Sequence, residues 1–434
     1  MKKLVALAVT ASLASLSTFV IAEDLAQVYT QAKDNDPTIL RSIAQRDAAF
    51  EAITSSRSTL LPQINLTAGY NYANNASDVT SQQLSAGIGF SQELYNRSSW
   101  INLDTAEKQA RQADSALAAQ QQQLILRVAT AYFEVLRAQD AVVFVQAEKK
   151  AVARQLDQMK QRFEVGLSAI TDVHEAQAQY DTVLADEVVA QNNLVNSYES
   201  LRTITGRDYQ SLDILNTDRF SASAPADTVD SLVQRAEQEN LSLLAARISQ
   251  DIARDQIELA SSGHLPSLSL SGGYDVGRGE ADSIDWTTSD QYNIGINLSV
   301  PLYTGGNITS QVKQAEFNYV AVSEDLEAAY REVVSGVRAS RNNINATIGS
   351  IRAFEQLQVS AKSALEATEA GFEVGTQTIV EVLDATRRVF EADRNLADAR
   401  YNYIISVLNL RQATGSLSEQ DILDINAGLM KPTS

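Results

Sequence analysis

The sequence repeats itself at long range, and the repeat limits the folds open to it more than any other feature. Leu61-Pro62 returns as Leu265-Pro266, and Leu94-Tyr95 returns as Leu302-Tyr303. Phe163-Glu164-Val165-Gly166 returns unchanged as Phe372-Glu373-Val374-Gly375, and Thr205-Gly206 returns as Thr414-Gly415. The offset is 204 residues at the first pair, 208 at the second and 209 at the last two. It changes mainly within residues 70–90 and 274–298, where an insertion at an exposed loop tip is expected.

Each half reads in the same order. A short helix is followed by a second one opening after a cap. Asp36 before Pro37 suits the N-cap and first helical positions, and Asn240 stands at the matching place in the second half. That helix ends near the Leu-Pro pair, because proline disfavours helix in the residue before it.

Strict alternation comes next. Ile64, Leu66, Ala68, Tyr70 and Tyr72 alternate with Asn65, Thr67, Gly69 and Asn71. The returning run sets Leu84, Ala86, Ile88 and Phe90 against small polar residues and glycines. The second half repeats this with Leu268, Leu270, Tyr274 and Val276, then Ile294, Ile296, Leu298 and Val300. Period two over about ten residues is a strand signal, and it matches a transmembrane barrel strand of about 9–11 residues. A soluble sandwich with one wet face is the alternative.

Long helical runs follow each strand pair. Residues 98–163 contain neither proline nor glycine, and the matching run passes only Gly336 and Gly349 on its way to Ala370. Ala, Gln, Leu, Glu and Arg dominate these runs, and all favour helix. Some 65 residues would make a rod of roughly 100 Å. Each rod turns at a glycine, in Gly166-Leu167-Ser168 and Gly375-Thr376-Gln377, and a shorter helix returns. Acidic, loop-rich segments follow at 207–230 and 416–434.

Residues 1–22 read as a secretory signal. Lys2 and Lys3 precede an apolar stretch from Leu4 to Ile21, and Val20 and Ala22 supply small residues for a peptidase site. A membrane anchor is the alternative. No later stretch approaches the ~20 apolar residues of a spanning helix, so any membrane crossing must use strands. The chain has no cysteine, which removes both disulfides and a lipid attachment point. Its net charge of −19 argues against a nucleic-acid partner.

The fold class expected is therefore mixed: long α-helices plus transmembrane β, internally duplicated. The first repeat is placed at 23–215, with strands about 63–95 and helices about 98–163 and 170–206. The second is placed at 226–415, with strands about 267–302 and helices about 307–371 and 377–414. Four strands cannot close a barrel, and lipid tolerates no open edge. Copies must join: two give 8 strands, three 12 and four 16, and strand arithmetic alone does not choose.

Four segments resemble the TolC family of outer-membrane efflux proteins: RQLDQMKQRFEVGLSAITDV (154–173), PLYTGGNITSQVKQAEFNYV (301–320), GFEVGTQTIVEVLDATRRVF (371–390) and ARYNYIISVLNLRQATGSL (399–417). The resemblance covers Glu23 to about Leu429. It implies a homotrimer with a 12-stranded outer-membrane barrel, continuous with a periplasmic coiled-coil barrel. It also implies an equatorial belt, formed by 207–230 and 416–434. The channel would span outer-membrane lipid and reach into the periplasm. Its partners would be a periplasmic adaptor (membrane fusion protein) and an inner-membrane RND, ABC or MFS pump. The cargo would be drugs, bile salts, dyes or proteins, through a tripartite efflux pump or a type I secretion system.

No enzymatic chemistry or cofactor is expected. His174 and His264 are the only histidines. Zinc-protease, nucleophile-elbow and P-loop motifs are all missing from the sequence. An outer-membrane receptor or stalk without transport is the rival function.

Near the second turn, Glu381 and Asp384 share a helical face at i, i+3. If that face lines a pore, symmetry makes rings of carboxylates, which favour cations. The resemblance implies a periplasmic gate at Gln155, Thr171 and Asp172 in the first coil and Glu369, Phe372 and Gln377 in the second. The family pattern has Tyr at Phe372 and Arg at Gln377, so the ion pair to Asp172 is expected to be lost. No Lys or Arg lies between 163 and 186 or between 363 and 386, so the acids there are expected to be unscreened. The turns Gly166-Leu167-Ser168 and Gly375-Thr376 match the family's adaptor-docking tips.

Overall fold

The computed structural model describes residues 22–74, 80–281 and 284–432. The expected signal segment therefore falls, but for Ala22, outside the described residues, as do the tips of both strand pairs. The first half of the chain runs α1 (Leu25–Asn35), α2 (Pro37–Ser58), β1 (Gln63–Asn74), β2 (Thr80–Tyr95), α3 (Arg97–Glu164), α4 (Ile170–Thr205) and β3 (Ile214–Leu215). The second runs α5 (Val229–Glu239), α6 (Leu241–Ser262), β4 (Ser267–Ala281), β5 (Ile284–Ser299), α7 (Asn307–Glu373), α8 (Ile379–Ala413), α9 (Glu419–Asn426) and β6 (Leu429–Met430).

Two compact units form, and neither follows chain order. One gathers residues up to Pro37, Gln122–Leu232 and Gly336 onward; the other gathers Thr38–Gln121 and Val233–Ser335. Each unit draws on both halves of the sequence, and α3 and α7 contribute to both.

The unit of Thr38–Gln121 and Val233–Ser335 carries an antiparallel sheet in the order β1-β2-β4-β5. Its register lines up the apolar positions read from the sequence. Leu66 faces Ile88, Ile88 faces Tyr274, and Tyr274 faces Tyr292. Leu270 faces Ile296 in the same way. The row stays uncovered: Leu66 is 80 % exposed and Tyr292 83 %. Gly272 sits under the Phe90 ring, where a Cβ would lie only 2.5 Å from ring carbon Cε1. The strands run 12, 16, 15 and 16 residues, longer than the ten or so expected. The apolar row stops before the strands do, and polar residues such as Gln83, Arg278, Glu280 and Thr287 continue the ladder.

The helices beneath are joined by polar contacts. Lys108 donates to Asp255 at 2.5 Å, linking α3 to α6, and Gln112 donates to Ser249 at 2.7 Å. Asn240 caps α6 as expected, accepting from the Leu243 N–H at 3.1 Å. Among the described residues, no helix is long and apolar enough to cross a membrane.

In the other unit, α1 opens with a capping box, because Gln27 N–H donates to the Asp24 side chain at 2.8 Å and Asp24 N–H to Gln27 at 3.2 Å. Its buried stripe is Leu25, Val28, Tyr29 and Ala32, the i, i+3, i+4, i+7 pattern of one helix face. Segments 207–230 and 416–432 are more ordered than loop-rich composition suggests. β3 pairs with β6, Glu23 bridges to Leu212, and α9 forms between them in sequence. Ser418 N–H donates to Asp421 at 2.8 Å and starts α9. Glu419 then accepts from Lys33 at 2.6 Å and Tyr29 at 3.2 Å, tying α9 to α1.

Candidate functional site

Two helical hairpins end side by side in chemistry, with the same turn at each. After α3, Gly166 N–H donates to Phe163 O at 2.9 Å and Leu167 N–H to Arg162 O at 2.8 Å. After α7, Gly375 N–H donates to Phe372 O at 3.1 Å and Thr376 N–H to Gly371 O at 2.9 Å. This is the paired 6→1 and 5→2 bonding of a Schellman motif, which needs a left-handed residue. Gly166 at φ 77° and Gly375 at φ 80° supply it without a Cβ penalty.

One apolar cluster lies behind the turns. Val152, Leu156 and Met159 of α3 meet Ala176 and Val183 of α4 and Ile379, Val382 and Leu383 of α8, with Phe372 of α7 packed against them. The tips themselves leave Val165, Leu167 and Val374 exposed. Ser168 Oγ donates back to Met159 O at 3.4 Å, and Thr376 Oγ1 to Gly371 O at 3.0 Å. The tip residues Gly166, Leu167, Ser168, Gly375 and Thr376 thus sit in turns closed by their own backbone.

The residues expected to hold a gate divide into two groups. Gln155 and Phe372 reach across helices. Gln155 Nε2 donates to Thr386 Oγ1 at 2.8 Å, joining α3 to α8, and Thr386 is buried and donates on to Val382 O at 2.8 Å. The Gln155 amide oxygen is buried with no hydrogen-bond partner among the described residues. Phe372 lies under the Arg162 guanidinium, 4.6 Å from the ring centre, joining α7 to α3.

The other group is engaged locally or open. Asp172 accepts from the Ala169 N–H at 3.1 Å and so caps α4. Gln377, with its amide turned as its neighbours require, donates to both Glu381 oxygens at 2.9 and 2.6 Å. Thr171 and Glu369 are exposed. Glu381 also accepts from the Thr378 N–H at 2.6 Å, completing the capping box of α8.

Asp384 is not bare. Arg387 and Arg388, from the next turn of α8, both donate to its carboxylate, the latter at 2.5 Å. The Arg387 hydrogen bond, outweighing partial burial, holds the Asp384 carboxyl below the usual carboxylate range. The expectation of unscreened acids stopped one residue short of the first of these arginines. Their spacing, i+3 and i+4 from Asp384, is legible in sequence; the Arg162–Phe372 and Gln155–Thr386 contacts are not.

Asp384 and Arg387 also line a cleft of about 600 Å³ together with Glu148 of α3, Glu175 and Asp186 of α4, and Glu391 and Arg394 of α8. Glu148 is buried there, and burial pushes its carboxyl up, only partly offset by Arg394. No group of three or more metal-ligating side chains occurs among the described residues.

The profile of the family described as outer membrane efflux protein matches residues 28–207 and again 232–416. The chain is 67 % identical to outer membrane protein TolC of Vibrio cholerae, over 99 % of each chain. It is 49 % identical to outer membrane protein TolC of Escherichia coli K12, over 100 % of this chain and 90 % of that one. The crystal structure of the Campylobacter jejuni CmeC outer membrane channel superposes with a TM-score of 0.78 at 17 % identity, over 94 % of this chain and 90 % of that one. Family profile, sequence identity and fold agree, and the chain belongs to the outer membrane efflux protein family as an outer-membrane channel that extends into the periplasm.

Proposed function

We propose that three copies assemble into one export tube. Each chain would supply four strands to a 12-stranded barrel and its long helices to a periplasmic coiled-coil barrel. The observation that carries this is the sheet. β1 and β5 are its edges, and one face carries an exposed apolar row along part of the strands. In lipid, unpaired edge groups cost several kcal/mol each, so β1 of one copy must meet β5 of the next. An apolar outer row and a polar inner row are what a barrel wall needs.

The two matching segments of the family profile support an internal duplication, with repeats at 23–215 and 226–415. Residues 1–22 would be removed on export. Segments 207–230 and 416–434, joined through β3 and β6, would form the equatorial belt.

The turns after α3 and α7 would form the periplasmic end. Their exposed Val165, Leu167 and Val374 suit docking of a periplasmic adaptor, which in turn joins an inner-membrane pump of the RND, ABC or MFS class. An iris-like gate would lie at the same end. Gln155 and Phe372 would hold it across helices, and Asp172, Gln377 and Glu381 would set the helix starts. Thr171 and Glu369, exposed within one chain, would face a neighbouring copy. The channel itself would be a passive conduit for drugs, bile salts, dyes or proteins.

Deletion in a strain without a paralogue tests this reading. Sensitivity to bile salts, detergents or dyes, or loss of a secreted protein, is expected. Unchanged susceptibility and secretion would favour a receptor or stalk.

A further inference from the structure

We propose that Arg387 and Arg388 determine the ion preference of the channel's narrow end by cancelling the Asp384 carboxylate one turn before them. The inference rests on the reading that the first turns of α8 line the pore. Asp384 is bound from its own helix by both guanidiniums. The Arg387 side chain is 58 % exposed, that of Arg388 69 % and that of Asp384 32 %, so all three charges lie on the helix surface. Guanidinium stays protonated at any working pH.

An exposed pair of this kind adds little stability. Its effect on a pore is different, because permeating ions respond to the fixed charge and not to the strength of the pair. From Glu381 to Arg388 the two acids and two bases sum to zero. A ring of free Asp or Glu attracts cations. Where the Asp384 carboxylate is held by two guanidiniums of its own helix, that preference is cancelled at its level. The cleft that Asp384 and Arg387 line also holds the carboxylates of Glu148, Glu175, Asp186 and Glu391 and the guanidinium of Arg394.

The test is the reversal potential of the full-length channel in a planar bilayer under a potassium chloride gradient. Arg387→Gln with Arg388→Gln should move it toward the cation limit. The shift should shrink as total salt rises and the charges are screened. Arg387→Lys with Arg388→Lys should leave it at the wild-type value, since charge is kept. Both variants expose only surface positions, and recovery of the wild-type oligomer by size-exclusion chromatography shows that each has assembled. Glu381→Gln with Asp384→Asn, measured alongside, should move it the opposite way. If the acid variant moves the potential and the glutamine variant does not, the arginines do not set selectivity and the proposal is wrong. If neither moves it, the first turns of α8 do not line the pore, and the reading beneath the proposal falls with it.

Discussion

The Arg162 guanidinium lies 4.6 Å from the centre of the Phe372 ring, so the last turn of α3 holds the last turn of α7. The Phe372 ring makes this contact without a hydroxyl. The contact is electrostatic but needs no hydrogen-bond acceptor, and at this half-buried place it contributes on the order of 0.5–1 kcal/mol.

Phe372→Leu keeps bulk and loses the quadrupole. Single-channel recordings should show a higher resting conductance and shorter closures, with the closed-to-open ratio falling by roughly two- to fivefold. Arg162→Gln should do the same, and the double variant should be no worse than either single one. Phe372→Tyr with Gln377→Arg should lower resting conductance below wild type. An unchanged ratio in Phe372→Leu would mean that closure rests on other contacts.

Gln155 and Thr386 make a second tie, with one amide oxygen left unpaired. Thr386→Val removes the acceptor and strands the Gln155 amide in a buried place, at a cost of about 1–3 kcal/mol. Gln155→Met in the same chain removes the stranded group and should recover most of the loss. Thermal unfolding of the two variants measures the difference.

Lys149 donates to Glu187 at 2.5 Å, joining α3 to α4. That hydrogen bond holds the Glu187 carboxyl below its ordinary value of 4.5. A depressed acid contributes stability that is present above the unfolded value and is lost as pH falls through the folded one. Lys149→Met should therefore lower the melting temperature at neutral pH, and the gap to wild type should close on acidification below about pH 4. A gap that stays constant with pH would show that the contact is packing alone.

Glu148 has the opposite sign. Burial raises its carboxyl above 4.5, so its ionised form opposes folding at neutral pH. Glu148→Gln should raise the melting temperature at neutral pH, with no gain in acid, where the wild-type group is already protonated. A lower melting temperature at neutral pH would mean that the charge is needed, most directly by Arg394.

Much of this architecture is legible in the sequence because its elements are long and periodic. The helix read at about 98–163 is Arg97–Glu164, and the one read at about 377–414 is Ile379–Ala413. α7 outruns its expected end by two residues, to Glu373, because the Schellman turn closes on Gly375 and not on Gly371. Two-residue strands such as β3 and β6 carry no period, so the order in 207–230 and 416–432 is invisible in the sequence. At the tip, a residue type shows what a side chain can bond and not what it does bond. Asp172 and Gln377 are satisfied within a turn of their own helices, whereas Phe372 finds a partner more than two hundred positions away.

The trimer is the centre of the account, and the mass of the detergent-extracted protein tests it most directly. Light scattering with the detergent contribution subtracted should give three chains per particle. One or two chains per particle would leave the β1 and β5 edges without the partners that a 12-stranded barrel requires, and would contradict it.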